Sequence, residues 1–219
     1  MAAARSDTTP FTLEAGPGTD IWRKPPNTNV WNAPIVRTSS GPLKSFLSAR
    51  VTFWAPWAHL YDQAGMLFVP RRASSPSSSS AASTAPPEHW VKTGIEFYAG
   101  RPHLSTVTCD RFADWSLYPL LTAGGGKVAD DGDVDSVTLE VTRDGGAQGK
   151  NAWVHRLVLD AEGNVVERTP LRKICWIFAD EDDGDDWVLD VSPLVARPDK
   201  GAQEALRVEF KEFNVEWSQ

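Results

Sequence analysis

Cysteine is scarce. Cys109 and Cys175 are the only two in 219 residues, and no Asn-X-Ser/Thr acceptor occurs in the chain. Disulfides and N-glycosylation, two covalent signs of secretion, therefore have no footing, and the expected compartment is the cytoplasm with both thiols acting as small buried hydrophobes. Histidine is equally sparse: His59, His89, His103 and His155 show no spacing that closes a zinc site, so no metal is expected. No hydrophobic run approaches the roughly 18–20 residues that a bilayer span requires, and the opening MAAARSDTTPF lacks an apolar signal core, which speaks against a membrane. Cations are in the minority, with 22 Lys and Arg against 29 Asp and Glu and a net charge of −7. Binding a nucleic-acid backbone needs clustered cations, so nucleic acid is not an expected partner. Cofactor fingerprints are missing too. The GGGK at 124–127 lacks P-loop spacing, and the acidic run 180–186 lacks the ligand alternation of an EF-hand. No serine sits in a Gly-x-Ser-x-Gly elbow. The expectation is a protein without a cofactor.

What the chain does have is a core. Hydrophobic residues make up 41%, including Trp 10 and Phe 9, which is enough to fold. Residues 135–143, DSVTLEVTR, put Val137, Leu139 and Val141 on one face and Ser136, Thr138, Glu140 and Thr142 on the other, the period of two of a half-buried strand. Residues 153–159 alternate likewise, Trp153, His155, Leu157 and Leu159 opposing Val154, Arg156 and Val158. Further strands are predicted over 49–54, 64–69, 90–98, 104–109, 115–120, 171–178 and 187–191, and from about Leu206 onward, where Leu206, Val208 and Phe210 alternate, as do Phe213, Val215 and Trp217. Gly100, the glycines at 124–126 and 145–146, and Gly163 punctuate them as turns. Residues 73–87, ASSPSSSSAASTAPP, lack the side chains to offset ordering entropy and read as a mobile loop inserted in a hairpin. The expectation is an all-β sandwich of two antiparallel sheets, one domain over residues 1–219, with little helix.

The stretches DIWRKPP (20–26), YDQAGMLF (61–68), WVKTGIEFYAGRPHLSTV (90–107), DWS (114–116) and LRKICW (171–176), with the pair Arg197 and Pro198, resemble the regulation-of-enolase family, a family of unknown function. The resemblance covers roughly Phe11 to Trp217. It implies a concanavalin-A-like jelly roll whose concave face forms a groove. It implies no reaction, because a fold does not dictate a function. Compact members have a short hairpin where this chain carries the Ser/Pro-rich segment after Arg72.

Candidate chemistry gathers on one strand. Over residues 92–98, Lys92, Gly94, Glu96 and Tyr98 share a face, with Thr93, Ile95 and Phe97 behind. Across the hairpin, Ser105 and Val107 fall near Glu96 and Gly94. Asp62 and Gln63 precede the glycine of YDQAG, Asp20, Trp22 and Arg23 lie in an extended stretch before two prolines, and Trp115 and Ser116 follow Asp114. Aromatic faces beside carboxylates and a guanidinium suit a hydroxylated ligand. They suit a buried structural network equally, such as an Asp20–Arg23 latch for the N-terminal arm or a solvated Lys92–Glu96 pair. A glycosidase needs two carboxylates about 5–9.5 Å apart, and Asp62 with Glu96 is the pair nominated.

Two function classes follow. In the first, a binding or regulatory module recognises a carbohydrate or small hydroxylated metabolite through Trp22, Arg23, Tyr61, Gln63, Tyr98, Ser105, Trp115 and Ser116 around Lys92 and Glu96. In the second, a cofactor-independent hydrolase, isomerase or cyclase uses Glu96, Asp62 and Lys92 as acid/base groups. A third possibility, a scaffold acting on a metabolic enzyme, predicts a large exposed apolar patch away from the groove.

Overall fold

A computed structural model describes residues 9–77, 86–121, 136–144, 150–182 and 186–218. Among the described residues the period-two pattern emerges as fourteen strands: β1 Phe11–Ala15, β2 Ile21–Lys24, β3 Thr28–Trp31, β4 Ser39–Pro42, β5 Phe46–Trp54, β6 Gln63–Arg72, β7 Trp90–Tyr98, β8 Arg101–Cys109, β9 Ala113–Pro119, β10 Val137–Arg143, β11 Ala152–Leu159, β12 Val165–Ile174, β13 Trp187–Ala196 and β14 Leu206–Trp217. Two six-stranded antiparallel sheets, ordered β1-β14-β5-β10-β11-β12 and β4-β13-β6-β7-β8-β9, face each other. This is the expected sandwich. Residue 135 and the glycines at 124–126 and 145–146 lie outside the described residues, as do 78–85 of the Ser/Pro-rich segment and 183–185 of the acidic run.

The inward side chains of both sheets meet in one apolar layer. Val51, Phe53, Val137, Leu139, Val141, Val208 and Phe210 come from the first sheet, and Met66, Phe68, Val91, Ile95, Leu104 and Val191 from the second. Each such residue fully removed from water contributes on the order of 1.5–3 kcal/mol, so the inward-facing sets of both sheets, of which 137–141 is one instance, supply a large part of the fold's stability.

A bulge explains one pattern that simple alternation leaves unjoined. In β14 the buried positions run Leu206, Val208, Phe210 and then Phe213, Val215, a change of phase. The register against β5 shifts between Phe210 and Glu212, and the extra residue returns the apolar set to the inside. In β11 the register shifts after Val154. Trp153, His155 and Leu157 do share a face, and it is the outer one, since His155 pairs with Glu140 and Leu157 with Thr138.

Several strands extend beyond their expected bounds, among them β5, β6, β8 and β13, and β1 to β4 have no counterpart in the expectation; the largest shift is in β12. Instead of 171–178, β12 runs Val165–Ile174. Pro170 is accommodated because β12 is the last strand of its sheet and pairs with β11 alone. After Ile174 the chain leaves the sheet, which lets Ile177 and Phe178 enter the core.

A second apolar cluster lies on the outer face of the second sheet. Strands β2 and β3 form a separate hairpin whose Ile21, with Trp22 and Trp31, packs on Leu67, Val69, Trp90, Val107, Cys109, Leu194 and Ala196. The middle of this sheet is tight. Gly65 and Gly94 are directly paired, and a Cβ on Gly94 would stand 1.8 Å from the Ala64 carbonyl oxygen, so the two strands approach as closely as glycine permits.

Candidate functional site

Alternation along β7 sends Lys92, Gly94 and Glu96 to the outer face of the second sheet, beneath the β2–β3 hairpin. The antiparallel register supplies their neighbours: Gln63 on β6 opposes Glu96, Ser105 on β8 opposes Gly94, and Trp115 on β9 opposes Val107. Asp20, Trp22 and Lys24, alternating along the first strand of the hairpin, come down from above. Together Asp20, Trp22, Lys24, Tyr61, Lys92, Glu96 and Trp115 line a pocket of about 250 Å³.

Trp115 is the centre of an aromatic cluster. Trp22, Tyr61 and Tyr98 each meet it edge to face, with centroids at 6.4, 6.1 and 5.5 Å, and Tyr61 stacks on Tyr98 at 6.0 Å. Such contacts fix ring orientation beyond what area burial does. Tyr61 reaches this position through a left-handed backbone, φ 67°, unusual for a residue with a Cβ. Backbone bonds on either side impose it: Tyr61 N–H donates to the Phe97 carbonyl and Phe97 N–H to the Asp62 carbonyl, both at 2.8 Å.

Polar groups form two connected sets. The Lys92 ammonium, almost fully buried, donates to Gln63 Oε1 at 2.7 Å and to Asp20 Oδ1 at 3.2 Å, and lies 5.7 Å from the centre of the Trp22 ring. Asp20 Oδ1 also accepts the Ile21 N–H at 2.7 Å and Gln63 Nε2 at 3.2 Å. In the second set, Ser105 donates to Glu96 Oε2 at 2.9 Å and accepts the Trp115 indole N–H at 3.1 Å. Burial pushes the Glu96 carboxyl above the ordinary range for a glutamate. The Lys92 charge and the Ser105 hydroxyl oppose that shift, and the Asp20 charge adds to it.

The structure thus brings together Trp22, Tyr61, Gln63, Lys92, Glu96, Tyr98, Ser105 and Trp115, and it takes three candidates elsewhere. Asp62 has no exposure at all. Both its oxygens are held by the Arg197 guanidinium at 2.8 Å, and its Oδ2 accepts the Ala58 and His59 N–H groups. Asp62 shapes the loop that presents Tyr61 and is not paired with Glu96. Arg23 turns away to donate to the carbonyls of Pro87 and Glu88 at 2.6 and 2.7 Å and to Asn29 at 3.1 Å, clamping the hairpin rather than a ligand. The Asp20–Arg23 latch is therefore not formed; Asp20 contacts Lys92. Ser116 is one position out of phase with Trp115, pairs with Thr106 and donates to its carbonyl.

Lys24 is a pocket residue that the sequence reading does not single out, and Asp20, read there beside Trp22 and Arg23, lines the pocket without the Arg23 latch. Their signal is the spacing Asp20, Trp22, Lys24, a period of two that becomes visible once 21–31 is read as a hairpin turning at its two prolines. Among the described residues no group of three or more His, Cys, Asp or Glu side chains could hold a metal ion, and no helix is long and apolar enough to cross a membrane.

A family model described as a protein of unknown function, DUF1349, matches residues 2–217. An uncharacterized protein of Emericella nidulans is 39% identical over 206 residues, which span 94% of this chain and 86% of that one. Among solved structures, a functionally unknown protein from Saccharomyces cerevisiae superposes with a TM-score of 0.60 at 20% identity, covering 100% of this chain and 92% of its own. A mutant of the GH43 protein BlXynB from Bacillus licheniformis superposes with a TM-score of 0.50 at 10% identity over 94% of this chain and 32% of that one. This chain therefore corresponds to about a third of the GH43 chain. The descriptions of the matched family and of the Emericella relative carry no activity and no regulation-of-enolase name.

Proposed function

The chain belongs to the DUF1349 family, and we propose that it binds a carbohydrate or another small hydroxylated molecule in the pocket between the β2–β3 hairpin and the second sheet. The observation that carries this reading is the composition of the pocket wall. Trp22, Tyr61 and Trp115 surround a floor where Lys92 and Glu96 stand side by side and Asp20 leans in from the rim. Aromatic rings receive the C–H faces of a sugar, and a carboxylate and an ammonium together satisfy hydroxyls as both acceptor and donor. The fold likeness to a GH43 protein agrees with such a ligand and supplies no residue correspondence, so the reading stands on the pocket itself.

A second reading is favoured by one specific observation. Glu96 is a buried carboxyl with a raised proton affinity, as a general acid requires near neutrality, and Asp20 rather than Asp62 is the second carboxylate at the same pocket. In this reading the site turns over its ligand without a cofactor.

Titration calorimetry with a panel of neutral monosaccharides, polyols and sugar acids, repeated on Glu96→Gln and Trp115→Ala, tests both readings. Binding lost in Trp115→Ala supports the pocket. Turnover lost in Glu96→Gln with binding kept supports the enzyme. A panel in which no member binds the native protein ends the carbohydrate reading.

A further inference from the structure

We infer that the pocket accepts a single sugar ring as a terminal unit and closes against the next ring of a chain. This rests on the carbohydrate reading and narrows it.

Volume is the first ground. About 250 Å³ is below the roughly 300–1,000 Å³ of pockets that bury drug-sized ligands. One pyranose ring with its hydroxyls fits; two linked rings do not.

The second ground is the wall. An internal stretch of polysaccharide needs a groove open at both ends, but three separate elements close in here on a floor made by β7. The hairpin contributes Asp20, Trp22 and Lys24, the segment before β6 contributes Tyr61, and β9 contributes Trp115. The hairpin wall is also fixed in place. Ile21 is fully buried beneath it, and Arg23 binds the carbonyls of Pro87 and Glu88. Asn32 N–H donates to the Asp20 carbonyl at 3.1 Å, while its side chain accepts the Asp20 N–H at 2.7 Å and donates to the Gly18 carbonyl at 3.0 Å. At the base, Thr19 N–H donates to the Arg197 carbonyl at 3.1 Å. A wall with this many attachments on both sides of Trp22 does not swing aside to pass a polymer. Trp22 is its central ring, set edge to face against Trp115, and is therefore the residue that limits ligand length.

The test is a length series. Methyl glycosides of glucose, galactose, mannose and xylose are titrated against the native chain beside their linear oligomers of two, three and four units. The expected result is that the sugar that binds as a methyl glycoside binds its oligomers with affinity unchanged within about twofold, because only one ring enters. In Trp22→Ala the affinity then rises with length. Affinity that climbs tenfold or more from one to three units in the native chain overturns the single-ring inference and leaves the carbohydrate reading intact. Absence of binding by every glycoside and oligomer overturns both. Should Trp22→Ala fail to fold, the native length series still decides.

Discussion

Asp62 and Asp20 are both aspartates near the pocket, yet the structure gives them opposite jobs, and replacing each with asparagine separates those jobs. Asparagine keeps the shape but removes the charge. In Asp62→Asn the Arg197 guanidinium, 5% exposed, is left with a neutral partner whose amide turns one N–H donor toward its own donors. Breaking a buried pair by neutralising one member costs about 3–5 kcal/mol, a large share of the 5–15 kcal/mol typical of a domain. At about 2–4 °C per kcal/mol for a chain of this size, the melting temperature should fall by about 6–20 °C. Asp20 is different: its side chain is 23% exposed and its Lys92 contact is 3.2 Å long. Lys92 is buried but keeps Gln63 as a second partner at 2.7 Å, so Asp20→Asn should melt above Asp62→Asn while losing ligand affinity. Differential scanning calorimetry on the two variants reads both effects. An Asp62→Asn protein that melts within 2 °C of native, or an Asp20→Asn protein that unfolds as early as Asp62→Asn, would refute the assignment of Asp62 to the frame and Asp20 to the site.

Glu96 gives a pH signature. Its folded proton affinity is raised by burial, so the folded state holds the proton more tightly than the unfolded chain does. Stability is therefore lost as pH rises from the unfolded glutamate range, about 4.3, through the folded pKa. Glu96→Gln should remove that loss, and its melting temperature relative to native should increase between pH 4 and 8; a difference independent of pH contradicts the shift. Gly94→Ala should fail to fold or unfold at ambient temperature, because its Cβ would sit 1.8 Å from the Ala64 carbonyl oxygen and strand backbone has nowhere to go; a soluble variant with native circular dichroism refutes the packing. Arg23→Ala removes two charge-assisted bonds to the 87–88 backbone, each ordinarily about 1.5–3 kcal/mol if buried and less here at the surface. Hydrogen exchange should accelerate in residues 21–31 with little change in β7, and equal acceleration in both contradicts the clamp.

The part of this protein that could be read from sequence is the part where one physical rule acts alone. In residues 137–143 and 92–98, alternation sorts side chains with no competing demand, and both the strands and the faces followed; the outward grouping of Lys92, Glu96 and Tyr98 is a consequence of that period. Illegible parts are those where the period is broken or where a partner is remote. The phase change in β14 hides a bulge, since Phe213, Val215 and Trp217 alternate correctly but on the wrong parity for Phe210. Pro170 makes 165–174 look unfit for a strand until one knows that β12 stands at a sheet edge.

The two aspartates show the limit most clearly. Within YDQAG, Asp62 sits next to Gln63, whose side chain does reach Lys92 and Asp20, so adjacency favours Asp62; but a strand sends consecutive residues to opposite sides, and here that principle already separates Asp62 from Gln63. What finally decides is Arg197, 135 positions away, whose burial forces a carboxylate onto it. Asp20 meets the inverse fate: the hairpin carries it over the sheet to Lys92, 72 positions on. A buried cation must find its counter-charge, and each of the two, Arg197 and Lys92, takes the aspartate that chain topology delivers. Site assignment in this fold therefore follows from asking which carboxylate each buried cation claims, and the carboxyl no cation directly holds, Glu96, is the one left with a raised proton affinity and with chemistry available to it.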